Sequence, residues 1–215
     1  MGRVRPFRDR HQAGDALGRV LVDTDWNATD PLVLALPRGG VPVAVGVARA
    51  IDAPFDVFVG RKLGVPGHTE LAMGAIASGG VRYLDEATID ALGIAPESIA
   101  VVEIRERREL TRREQRYRGD RPFPSIAGSD VVIVDDGIAT GASMQVAVDA
   151  IRSHRPNSLT IAVPVAPVGA GELFRGRIDA FVTCETPEPF LAVGYWYEDF
   201  GQTSDEEVIA ALSMP

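Results

Sequence analysis

Two stretches of the chain are apolar without a break, Leu32 to Leu36 and Val131 to Val134. Side chains of a strand alternate between faces, so an unbroken apolar run predicts a strand covered on both sides, as in the interior of a parallel sheet. Helical spacing takes turns with further β-type runs along the rest of the sequence. VAVGVARAI (43–51) predicts a helix, FDVFVG (55–60) a strand, Gly141 to His154 a helix, and SLTIAVPV (158–165) and DAFVTCE (179–185) two more strands. That alternation is α/β order.

Three regions depart from it. RKLGVPGHTELAMGAIASGGVRYLD is glycine-rich and follows no plain period, which predicts a mobile loop with a small ribbon over about 61–84. From Glu97 to Arg118 runs a charged helix in which Glu103 and Arg107, and Glu109 and Arg113, are spaced to pair. A solvated surface helix accounts for this pattern; an arginine-rich face for RNA or a partner protein is the other reading. The closing stretch PEPFLAVGYWYEDFGQTSDEEVIAALS turns aromatic and acidic and reads as a flap. With neither an internal repeat nor a low-complexity linker, the expectation is one domain over 1–215.

Hydrophobic residues make up 46% and charged residues 24% of the 215, enough to bury a sizeable core. The formal net charge of -8 argues against general affinity for nucleic acid, so an anionic ligand must meet a local cluster of cations. No apolar run reaches the ~18 residues that a bilayer span needs. The start MGRVRPFRDRHQAG lacks the apolar stretch of a secretory signal, and Cys184 has no partner for a disulfide, which together point to a cytoplasmic setting. His11, His68 and His154 are scattered and offer no zinc spacing.

The chemistry concentrates in VVIVDDGIATGAS, Val131 to Ser143. Asp135 and Asp136 stand at the end of the buried strand, where ligands of open α/β sheets bind. Gly137, Ala139, Thr140, Gly141, Ala142 and Ser143 make a small-residue turn whose N–H groups are open to a phosphate, with a helix N-terminus behind them. Thr140 and Ser143 add hydroxyl donors. The carboxylates would repel a phosphate beside them and suit sugar hydroxyls instead. A plainer reading makes the two Asp a strand end and a helix cap, although a cap needs one such side chain. The sequence has neither G-x-x-x-x-G-K-[ST], nor G-x-G-x-x-G after the first strand, nor G-x-S-x-G.

A hydrophobic strand, two acidic residues and a Thr-Gly phosphate loop closely resemble the motif with which type I phosphoribosyltransferases bind 5-phosphoribosyl-1-pyrophosphate (PRPP). LPRGG (36–40) falls where these enzymes carry their pyrophosphate loop, and PRGG, RKLG, ELAMGA and DDGIATG together are similar to family members without an assigned acceptor. The resemblance implies a doubly wound, mainly parallel five-stranded sheet, with a core over about 1–185, a flexible loop or ribbon insertion, and a C-terminal hood over about 186–215. It implies an enzyme that transfers phosphoribosyl from PRPP to a nitrogen heterocycle and releases pyrophosphate. In that reading Asp135 and Asp136 grip the ribose diol, and Arg38, Gly39, Gly40, Arg61 and Lys62 hold pyrophosphate. Mg²⁺ arrives with PRPP, with Asp135 and Asp136 as its candidate protein ligands. His68 and Glu70 are lid candidates. Tyr195 and Trp196, with Tyr197 and Phe200, would stack on the base, or else fill the hood's own core or a homodimer interface. Ala139 stands where 6-oxopurine enzymes carry an Asp, which disfavours hypoxanthine and guanine. A PRPP sensor without turnover, or an RNA-binding protein, is the alternative on the same fold.

Overall fold

The computed structural model describes residues 6–24 and 26–213; the beginning of the N-terminal stretch read above for a signal lies outside them. Strands β1 (Pro31–Ala35), β2 (Phe55–Val57), β6 (Asp130–Val134), β7 (Ser158–Val165) and β8 (Ala180–Glu185) form a parallel sheet in the order β2-β1-β6-β7-β8. The register pairs Leu34 with Ile133 and Ile133 with Ile161. Val33, Ala35, Val132 and Val134 enter one core, while Leu32, Leu34, Val131 and Ile133 enter the other. This is why the runs are unbroken: both faces are dry. Helices α1 (Arg10–Val22), α2 (Gly40–Ala50) and α6 (Asp205–Leu212) supply the first core, and α5 (Ala142–Ser153) the second. The chain leaves β1 toward β2 on one side and places β6 on the other, so the switch point lies between the carboxyl ends of β1 and β6.

The insertion, expected as a loop with a small ribbon, is a three-stranded ribbon over most of its length. Strands β3 (Gly60–Val65), β4 (His68–Ala77) and β5 (Val81–Leu84) form a separate antiparallel sheet, and Met73 to Ala77 are largely buried. Its glycines mimic loop composition for a packing reason. A Cβ on Gly64 would lie 2.7 Å from the Thr69 carbonyl, and one on Gly74 would lie 2.3 Å from that of Tyr83. Both positions mark close backbone approach, the first beside a bulge in β3.

Helix α3 (Glu86–Leu92) leads to α4 (Pro96–Arg118), the charged helix. Both expected pairs form: Arg107 reaches Glu103 at 2.7 Å and Arg113 reaches Glu109 at 2.7 Å. Arg116 pairs with Asp205 and Glu206, and the buried Arg118 with Asp56, so most of this arginine charge is answered within the chain.

The C-terminal stretch divides in two, unlike the single hood expected. Val208, Ala211 and Leu212 of α6 join the core, beneath a capping box of Ser204 and Glu207. Residues 190–200 instead fold against the start of α1, where Phe7 bridges to Tyr197. Among the described residues no helix is long and apolar enough to cross a membrane.

Candidate active site

Asp135 and Asp136 leave β6 at the switch point, and the Asp136 N–H donates to Asp135 Oδ1 at 2.9 Å. The loop after β1 is pressed against them. A Cβ on Gly39 would stand 2.2 Å from Asp136 Oδ2, and one on Gly40 would stand 2.7 Å from the Val134 carbonyl. The Pro37–Arg38 peptide is cis. Glycine is therefore demanded by proximity to the acidic pair, and the two loops form one wall. Burial, then the neighbouring Asp136, pushes the Asp135 carboxyl well above the usual range. Burial also raises Asp136, opposed by the guanidinium of Arg10.

Beyond the pair, the chain offers donors. Among the described residues, the backbone N–H groups of Ala139, Thr140, Gly141, Ala142, Ser143 and Met144 have no acceptor, and neither do the hydroxyls of Thr140 and Ser143. Gly141 sits at φ +78°, a left-handed conformation that glycine adopts without strain, and α5 starts there without a side-chain cap. A cluster of unanswered N–H groups on an exposed turn at the positive end of a helix suits an anion. Ala139, Thr140, Ala142 and Ser143 are all exposed.

Arg10 was not anticipated. Its Nε donates to Asp136 Oδ2 at 2.8 Å and its Nη1 to the Gly201 carbonyl at 2.7 Å, while the Phe200 ring centre lies 3.9 Å from the guanidinium carbon. The side chain is only 11% exposed and that of Asp136 16%. Tyr197 donates its hydroxyl to the Asp136 carbonyl at 2.6 Å and packs on Phe200. Two of the four aromatics expected to stack on a base are thus committed to holding Arg10 and Asp136. Tyr195 is 70% exposed, and the Trp196 Nε1 is buried with no partner among the described residues. One sequence signal does point to Arg10: a cation in the first turn of a helix, where acidic residues are favoured.

The cations expected at pyrophosphate lie at the rim. Arg38 is half-exposed and 3.8 Å from Asp205, which also accepts from the Tyr117 hydroxyl at 2.7 Å and from Arg116 at 3.1 Å. Arg61, Lys62 and Ser143 line a cavity of about 250 Å³ with Leu36 and Pro37. Arg61 is already engaged, since its Nε and Nη2 both go to Glu106 on α4. Lys62 Nζ donates to the Glu70 carbonyl at 2.9 Å, across the β3–β4 hairpin. His68 and Glu70 are exposed on that hairpin.

Among the described residues no three His, Cys, Asp or Glu side chains converge as a metal site. Two carboxylates, one of them paired with Arg10, make no cage, but they fit Mg²⁺ that keeps its waters and is held mainly by substrate phosphate.

Two carboxylates and a row of free N–H groups thus flank the switch-point crevice of an α/β sheet. The phosphoribosyl transferase domain family matches residues 9–190, and the chain belongs to it. Its fold is the type I phosphoribosyltransferase fold. A Mycobacterium tuberculosis H37Rv protein named "Putative phosphoribosyl transferase Rv0571c" is 44% identical over 209 residues, which are 97% of this chain and 47% of that protein. This chain thus spans about half the length of the curated relatives it matches. TT1426 from Thermus thermophilus, a crystal structure, is 41% identical with a TM-score of 0.84, covering 96% of this chain and 97% of its own. A hypothetical protein from Neisseria gonorrhoeae, solved with bound ppGpp, shares the fold at 12% identity, with a TM-score of 0.52 over 98% of each chain.

Proposed function

We propose that this protein binds PRPP with Mg²⁺ and transfers its phosphoribosyl group to a nitrogen heterocycle, releasing pyrophosphate. The observation that carries this reading is the row of unanswered N–H groups from Ala139 to Met144 beside Asp135 and Asp136. A phosphate and a diol on one small molecule satisfy both halves of the site, and ribose 5-phosphate has both.

The 5-phosphate is taken up by the turn, with Thr140 and Ser143 adding hydroxyl donors. Asp135 and Asp136 accept from the ribose hydroxyls. As the bond from C1 to pyrophosphate breaks, positive charge grows on the ring, and the negative charge of the acidic pair favours it. Arg38, Lys62 and the N–H group of Gly39 meet the negative charge growing on the leaving group, while the Gly40 N–H, bonded to the Leu36 carbonyl, holds the loop in shape. Mg²⁺, when bound, neutralises phosphate oxygens. Ala139 leaves no carboxylate to manage a purine proton at that point, which argues against 6-oxopurine acceptors. Work in nucleotide metabolism in the cytoplasm, as a monomer or homodimer, belongs to the same proposal.

Pyrophosphate release from PRPP and Mg²⁺, measured against a panel of purines, pyrimidines and other nitrogen heterocycles, tests it. At least one acceptor should support turnover, and Asp136→Ala should lower it about a hundredfold, or ~3 kcal/mol of barrier. PRPP binding with no release on any acceptor would make the protein a sensor, and absence of binding would end the reading.

A further inference from the structure

We infer that Arg113, on α4, is a ligand of the pyrophosphate group, in the place expected of Arg61. The inference rests on the PRPP reading above and identifies a binding residue within it.

The cavity of about 250 Å³ opens between the loop after β1, through Leu36 and Pro37, and the phosphate turn, through Ser143. Its charged lining consists of Arg61, Lys62 and Arg113, with no carboxylate among the lining residues. In a chain of net charge -8, three cations around a cavity that also borders the turn after Asp136 suit an anion.

The two arginines are differently employed. Arg61 places Nε and Nη2 on Glu106, whose side chain is only 9% exposed, so its charge is answered and it fastens β3 to α4. Two turns further along α4, on the same helix face as Glu106, stands Arg113. Its Nε donates to Glu109 Oε1 at 2.7 Å, one turn back. Both terminal nitrogens have no acceptor among the described residues, and the side chain is 32% exposed. Glu109 therefore holds the guanidinium through Nε and leaves its terminal nitrogens free. A planar guanidinium with two free terminal nitrogens suits paired phosphate oxygens, better than a sugar or a base. The division of labour is that Arg61 positions the helix and Arg113 meets the ligand.

Calorimetric titration of the whole chain with Mg²⁺-pyrophosphate, Mg²⁺-PRPP and ribose 5-phosphate tests this in four proteins: unmodified, Arg113→Ala, Arg113→Lys and Arg108→Ala. Arg113→Ala should weaken pyrophosphate and PRPP about ten- to hundredfold, the value of a charge-assisted hydrogen bond or two, and leave ribose 5-phosphate unchanged. Arg113→Lys should fall between. Arg108→Ala, an exposed arginine on the same helix away from this cavity, should bind all three normally. Unaltered ribose 5-phosphate affinity also certifies that the variants are folded. Equal pyrophosphate affinity in Arg113→Ala and the unmodified chain overturns the inference while PRPP binding stands. If pyrophosphate binds through Arg113 but PRPP and ribose 5-phosphate do not bind, the PRPP reading falls and the anion ligand stands. If the unmodified chain binds none of the three, both are overturned.

Discussion

Arg10→Ala removes the guanidinium that lies between Asp136 and the ring of Phe200. What remains is a carboxylate 16% exposed, facing Asp135 and with no cation on its Oδ2. Breaking one side of a buried pair costs about 3–5 kcal/mol, and loss of the cation over Phe200 adds about 0.5–2 kcal/mol. Asp136 can escape part of this by taking up a proton, since burial has already raised its pKa. A net loss of about 2–4 kcal/mol at neutral pH follows. The sign of its pH dependence is fixed. A carboxyl whose folded-state pKa is raised binds a proton that the unfolded chain has already released, so stability falls as pH rises through that window. The variant should therefore suffer more in mildly alkaline than in mildly acid buffer. Urea denaturation in both buffers measures this, with Asp136→Asn and the double variant completing the cycle. The double variant should recover most of the loss, because the unpaired charge is gone. If Arg10→Ala unfolds within about 0.5 kcal/mol of the unmodified protein, or if Asp136→Asn restores nothing in its background, the counter-ion role of Arg10 is refuted.

Three further outcomes follow from the same geometry. Asp135→Asn removes a carboxyl held above its usual range by burial and by Asp136, so thermal melts should show a gain in alkaline buffer and little change in acid, while PRPP binding is lost. Gly39→Ala puts a Cβ 2.2 Å from Asp136 Oδ2 and must displace the carboxylate or the loop; PRPP affinity by calorimetry should fall at least ~10-fold. Arg61→Ala takes from the buried Glu106 its partner on β3, while Arg105 still reaches Oε1, and should cost about 1.5–3 kcal/mol in urea denaturation, more than Arg113→Ala, whose partner Glu109 is more exposed.

What can be read in advance is local. Leu32 to Leu36 and Val131 to Val134 declare a doubly covered sheet because their own side chains fill both cores. Asp135 to Ser143 declare an open turn at a strand end because small residues, a left-handed glycine and a helix start follow one another without interruption. What escapes depends on partners far along the chain. Arg10 meets Asp136 across 126 positions, and no spacing rule links them. Glu106 answers Arg61 from another element, a partner that nothing near RKLG announces. Gly64 and Gly74 carry the composition of a loop because two backbones pass where a Cβ would not fit, so the extent of the ribbon is hidden in the sequence. Tyr197 and Phe200 look like stacking residues in isolation, and only the folded chain shows them occupied with Asp136 and Arg10.

The most direct trial is titration with Mg²⁺-PRPP, followed by deuterium exchange on the saturated protein. The account predicts a saturable heat and slowed exchange of the amides from Ala139 to Met144, whose N–H groups would then be bonded to the 5-phosphate. No heat, together with exchange in that turn as fast as before, would contradict it.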